Sequence, residues 1–70
     1  MDNLSLADLT VFARAAALGT LSLAARERDV PVSQISRAVA RVESACGAQL
    51  FRRSGRGITL TQDGEVFLAF

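Results

Sequence analysis

The sequence predicts one mainly α-helical domain: three helices, a two-stranded β-hairpin, and the start of a fourth helix. Three observations predict it. Apolar residues recur at steps of three and four through two stretches, Leu6 to Ala16 and Val32 to Cys46. Residues suited to starting and stopping helices stand at the ends of those stretches, among them Ser5, Gly19, Asp29 and Gly47. After Gly47 the pattern changes to two short β-competent runs on either side of Ser54-Gly55-Arg56. A chain of 70 residues makes one domain. At that size about 60% of the unfolded surface is buried, so the core must be economical.

Each element has its own local justification. Ser5 followed by Asp8 resembles a capping box, and Leu6, Leu9, Phe12, Ala13 and Ala16 keep helical spacing until Gly19, which gives a first helix over about residues 6–18. Thr20 and Ser22 are both good N-caps for a short second helix carrying Leu23 to Arg28. Asp29, Val30 and Pro31 then break the chain. Val32, Ile35, Val39, Val42 and Cys46 form the stripe of a third, longest helix that ends at Gly47. Leu50 to Arg53 and Gly57 to Leu60 pair as a hairpin, with glycine at the tip to permit positive φ. Thr61 caps the last helix, and Asp63 and Glu65 lie in its first turn, where negative charge suits the helix dipole. That helix has about nine residues, and Val66, Phe67 and Phe70 give it an apolar stripe that asks for cover. The expected division is residues 1–61 as one domain and 62–70 as the start of a linker or dimerisation helix.

Charge is distributed unevenly. Arg14, Arg26 and Arg28 against Asp2, Asp8, Glu27 and Asp29 leave residues 1–32 at −1. Arg37, Arg41, Arg52, Arg53 and Arg56 against Glu43 alone give residues 33–62 a net +4, and Asp63 and Glu65 give the end −2. All eight basic residues are arginine, which suits bidentate contacts to phosphate or guanine, or else is the compositional mark of a GC-rich genome. No apolar run approaches the roughly 20 residues that span a bilayer, so no membrane role is expected. The N-terminus lacks the pattern of a signal peptide. A single cysteine, Cys46, makes neither a disulfide nor a metal cluster and suits a reducing compartment, so the expected location is cytoplasmic. With no histidine, no tyrosine, scattered carboxylates and Cys46 read as a buried structural thiol, the chain is expected not to be an enzyme and to need no cofactor.

The second and third helices fit a helix-turn-helix. Ala25 is the small residue that allows close approach, Asp29 takes the turn position four residues later, and Ile35 is the buried residue six beyond it. Aspartate is among the few residues that tolerate the left-handed turn geometry. Arg28 stands where an apolar residue is usual, with its stem over the core and its head group in water. Ser33, Gln34, Ser36, Arg37, Arg41 and Ser44 lie away from the apolar stripe, and the first four are able to reach base edges from a helix N-terminus. The hairpin that follows is then a wing, whose arginines lie near phosphates and the narrow minor groove. Two other readings stand beside this one: a solvated helix face with an ordinary basic hairpin, and a helical protein-interaction or dimerisation module that does not bind DNA. RNA is a poorer fit, since the four phenylalanines are mostly at core spacing.

At these residues the chain resembles the LysR-type transcriptional regulators of bacteria. Leu9, Phe12, Gly19, Ala24-Ala25, Ser36-Arg37, Val42-Glu43, Gly47, Leu50-Phe51, Arg53, Arg56, Leu60-Thr61 and Gly64 fall where the N-terminal domain of that family has such residues. The resemblance implies a winged helix-turn-helix acting as the DNA-reading head of a regulator, located in the bacterial nucleoid. By position it puts Ser33, Gln34, Ser36 and Arg37 at the major groove, Arg41 and Arg53 at phosphates, and Arg56 at the minor groove. Thr20 and Ser22 add backbone contacts or serve only as caps. It also implies a homodimer or higher oligomer through a linker helix starting near Thr61, and a small-molecule effector only where a further C-terminal domain exists. The family's frequent Ser-Gln-Pro opening is replaced here by Pro31-Val32-Ser33, as in members reading VPxSxxSR, and its usual leucine by Arg28. The first change bears on which bases are read and the second on local packing.

Overall fold

The computed structural model describes residues 5–55 and 57–69. Four helices, α1 (Leu6–Leu18), α2 (Leu21–Arg28), α3 (Val32–Cys46) and α4 (Gln62–Ala69), pack with one largely exposed antiparallel hairpin of β1 (Phe51–Ser54) and β2 (Gly57–Leu60). Mainly helical with a two-stranded wing, this is the fold class expected. Among the described residues no helix is long and apolar enough to cross a membrane.

The caps account for the helix limits. The Ser5 hydroxyl accepts from the Asp8 amide at 3.0 Å, and Gly19, at φ 80°, closes α1. The Thr20 hydroxyl accepts from the Leu23 amide at 2.9 Å, so α2 begins at Leu21, two residues before Leu23. Ser22 lies inside the first turn and is not the cap. Asp29 takes the left-handed conformation, φ 58° and ψ 47°, and its amide bonds back to the end of α2. Pro31 leads into α3 in extended geometry, with no side-chain cap.

The core joins Phe12 and Ala15 of α1, Leu21, Ala24 and Ala25 of α2, Ile35, Ala38, Val39 and Val42 of α3, and Leu50 and Phe51 at the hairpin. Phe12 stacks on Phe51 with ring centres 4.8 Å apart, and Phe67 of α4 meets Phe12 edge-on at 5.4 Å. The α4 stripe is therefore partly covered by the domain itself: Phe67 packs against the core, while Val66 and Leu68 remain exposed. Phe70 lies outside the described residues.

Two expectations about α3 are corrected. Its buried residues run from Ile35 to Val42, so Val32 at one end and Cys46 at the other are exposed. Cys46 is thus not a buried structural thiol. A stripe drawn by periodicity continues to the ends of a helix, but burial stops where the neighbouring elements stop. Leu6, in the first turn of α1, is exposed for the same reason.

Two glycines fix the hairpin against the helices. The Ile58 amide donates to the Gly19 carbonyl at 2.9 Å, and a Cβ on Gly57, at φ 140°, would run into that same carbonyl. The Thr61 amide donates to the Leu50 carbonyl at 2.9 Å, and a Cβ on Gly64 would collide with that oxygen. Thr61 also caps α4 as expected, its hydroxyl accepting from the Gly64 amide at 3.0 Å.

Candidate nucleic-acid interface

The outward side of α3 begins with Ser33, Gln34 and Arg37, all exposed. Ile35, Ala38, Val39 and Val42 fix this orientation, because burying one face of a helix turns the opposite one to solvent. Ser36 is half-buried toward the hairpin, and its hydroxyl accepts from Arg53 Nη2 at 3.0 Å. In this geometry Ser36 is a link between α3 and β1. Arg53 pairs with Ile58 across the hairpin, which sets its side chain beside α3. Arg52, next along the strand, is exposed. Arg56 lies outside the described residues.

Arg41 has a partner that spacing did not reveal. Its Nε and Nη2 donate to the two carboxylate oxygens of Asp8 at 2.8 and 2.9 Å, a bidentate bridge between α3 and α1. The Asp8 side chain is only 10% exposed, and that of Arg41 is 56% exposed. The Arg41 guanidinium holds the Asp8 carboxyl below its usual range, against the opposing effect of desolvation. Asp8 in turn raises Arg41. A second bidentate pair, Arg14 with Glu27, ties α1 to α2 at the surface.

Glu43 is the one acidic residue of α3, and it faces the hairpin. Its Oε2 accepts from the amides of Leu50 at 2.8 Å and Phe51 at 3.1 Å. One carboxylate oxygen thus satisfies two backbone donors that the hairpin leaves unpaired where it departs from α3. It also removes negative charge from the outward side of the helix. Asp8 and Glu43 were both missed as site-shaping residues, because their partners lie 33 and 7 or 8 positions away and depend on how the elements pack.

An open groove of about 400 Å³ runs between the start of α2, the start of α3 and the hairpin, lined in part by Thr20, Ser22, Val32, Arg53 and Ser54. Thr20 and Ser22 therefore share a surface with Arg53, although the Thr20 hydroxyl is occupied as a cap.

Comparison with known proteins agrees with this architecture. The family model described as "Bacterial regulatory helix-turn-helix protein, lysR family" matches residues 6–65. The chain is 42% identical over 60 residues to the HTH-type transcriptional regulator PerR of Escherichia coli (strain K12), covering 86% of this chain and 20% of that protein. It is 33% identical over 69 residues to the probable HTH-type transcriptional regulator SinR of Salmonella typhimurium, covering 99% and 22%. The chain spans about one fifth of the length of these curated relatives. Among solved structures, oxidised Corynebacterium glutamicum OxyR superposes with a TM-score of 0.91 at 30% identity over 99% of this chain and 22% of that one. The DNA-binding domain of CbnR, solved as a DNA complex, superposes with a TM-score of 0.87 at 34% identity over 93% of this chain and 75% of that one. By fold, matched residues and similarity alike, the chain belongs to the lysR family of bacterial regulatory helix-turn-helix proteins.

Proposed function

We propose that this chain is the DNA-reading head of a transcriptional regulator, inserting the start of α3 into the major groove and resting its hairpin on the adjacent backbone. The observation that carries this reading is the placement of Glu43. With its carboxylate turned onto the hairpin amides, the outward side of α3 presents Ser33, Gln34 and Arg37 with no acid among them. Phosphates repel carboxylates, and an ordinary solvated helix face mixes both signs. The DNA complex of the CbnR domain, similar over most of both chains, supports the same reading.

In this proposal Gln34 and Arg37 carry the base contacts, since their amide and guanidinium suit adenine and guanine edges, and Ser33 adds a short contact nearby. Ser36 orients Arg53, whose remaining donors reach a phosphate. Arg41 offers phosphate the side of its guanidinium not held by Asp8, with its net charge offset. Arg56, at the hairpin tip in sequence, is assigned to the minor groove by its place in the chain. Residues 1–61 form the reading unit and residues 62–70 the start of a dimerising linker helix, a role that exposed Val66 and Leu68 favour. Catalysis has no part in this reading. A regulator of this kind works in the cytoplasm, at the nucleoid. A small-molecule effector belongs to this reading only where a further C-terminal domain exists.

An anisotropy titration of mixed-sequence duplex against this chain, repeated over a range of salt, tests the proposal. Affinity should fall linearly with log salt as phosphate-bound counterions are released. A helical interaction module that does not bind DNA would show no salt-dependent signal. Sedimentation of the chain with and without a palindromic duplex tests the linker assignment. The chain should be monomeric when dilute, and a tight dimer without DNA would show that residues 62–70 suffice as an interface.

A further inference from the structure

The first turn of α3 carries one apolar side chain that the core does not cover: Val32 continues the inward stripe but stands beyond the elements that bury Ile35 and Val39. Val32 is the first residue of α3, is 44% exposed, and belongs neither to the buried core nor to the apolar residues packed around it. Its neighbours Ser33 and Gln34 are polar and exposed, as a solvated first turn should be. Local structure does not call for valine here. Pro31 already sets the entry into the helix, and a β-branched residue is a mediocre helix former. An apolar side chain standing in water on this turn gains free energy only when something covers it.

We infer that Val32 is a specificity-determining residue that reads the C5-methyl group of a thymine in the major groove. The inference rests on the proposed DNA-reading function and names a part of it. Among the four bases only thymine presents an apolar group in that groove, and small apolar side chains are its usual partners. Valine is short, so its methyls meet a base only where the backbone comes closest to the groove floor, at the first turn of the reading helix. Val32 also lines the open groove with Thr20, Ser22 and Arg53, whose hydroxyls and guanidinium suit the phosphate backbone. A strand seated on those polar groups leaves Val32 directed to the neighbouring base edge.

The test begins with a duplex selected from random sequences by this 70-residue chain. Each thymine is then replaced in turn by deoxyuridine, which removes the methyl and nothing else. One position should lose about threefold to fourfold in affinity, as expected for one methyl group taken out of contact. Val32→Ala should abolish that loss at that position while keeping the parent melting temperature. Uracil tolerated at every position, or the same uracil loss in Val32→Ala, overturns the assignment. If wild-type chain still prefers its selected site over scrambled duplex in such a case, the base-reading proposal stands and only the role of Val32 falls. If no preference exists, both fall.

Discussion

On the α1 side of α3, Arg41 is held by a carboxylate; on the hairpin side, Arg53 is held by a hydroxyl. Both contacts brace the same helix, one against α1 and the other against β1. They differ in charge. The Asp8–Arg41 pair is neutral as a unit, and its acid is nearly buried. The Arg53–Ser36 contact leaves a full positive charge at the surface beside Arg52. Two arginines on flanks of one reading helix are therefore unequal in what they can offer a phosphate, although in sequence they look alike.

The largest effect expected is the loss of the platform on which both flanks rest. Ile35, 1% exposed, anchors the inward side of α3. Ile35→Asp places an unpaired carboxylate there, which costs several kcal/mol, comparable to the whole stability of a small domain. Circular dichroism should show no cooperative melt. Ser44→Asp, on an exposed position, should melt like the parent. Equal melts for the two variants would mean that the inward and outward sides are assigned wrongly.

The next effect sharpens the comparison itself. Arg53→Ala should reduce the slope of log affinity against log salt by about 1, the contribution of one phosphate contact. Arg41→Ala should reduce it by clearly less, since Asp8 already offsets that charge. Asp8→Asn, which frees Arg41, should make the slope steeper. Equal reductions from the two arginine variants would show that the carboxylate does not mask Arg41.

The smallest effect is in acid. Asp8 is lowered from its ordinary value of 3.8, chiefly by hydrogen bonding from Arg41, and Glu27 is lowered from 4.5, chiefly by hydrogen bonding from Arg14. A carboxyl lowered in the folded state contributes stability above its unfolded value and loses it as pH falls through the folded one. Both pairs therefore stabilise at neutral pH and fade in acid. The Asp8 side chain is 10% exposed and that of Glu27 is 37% exposed, so solvent screens the second pair more. Thermal melts followed down into the acid range should show Asp8→Asn removing more of the pH dependence than Glu27→Gln. The reverse order would mean that burial does not distinguish the pairs.

Much of the fold was legible because its limits are set locally. Ser5, Gly19, Asp29, Gly47 and Thr61 each act within three or four residues of themselves, and each ends or begins an element where expected. The start of α2 was missed by two residues because Thr20 and Ser22 are chemically equivalent caps, and only the backbone geometry chooses between them. Of the candidate site, Ser33, Gln34 and Arg37 were legible as the outward side of a periodic helix. The engagements of Arg41, Ser36 and Glu43 were not, since each depends on how two elements dock. Val32 and Cys46 misled because helical spacing says which side a residue is on, but not whether a neighbour reaches that far.

The central claim is that the outward start of α3 reads bases while the hairpin flank holds the backbone. The most direct test measures Arg37→Ala and Arg53→Ala on a selected duplex and on a scrambled one. Arg37→Ala should lose about 1 to 3 kcal/mol on the selected duplex and little on the scrambled one, which relaxes preference. Arg53→Ala should weaken both duplexes alike. Equal, sequence-independent losses from both variants would contradict the account.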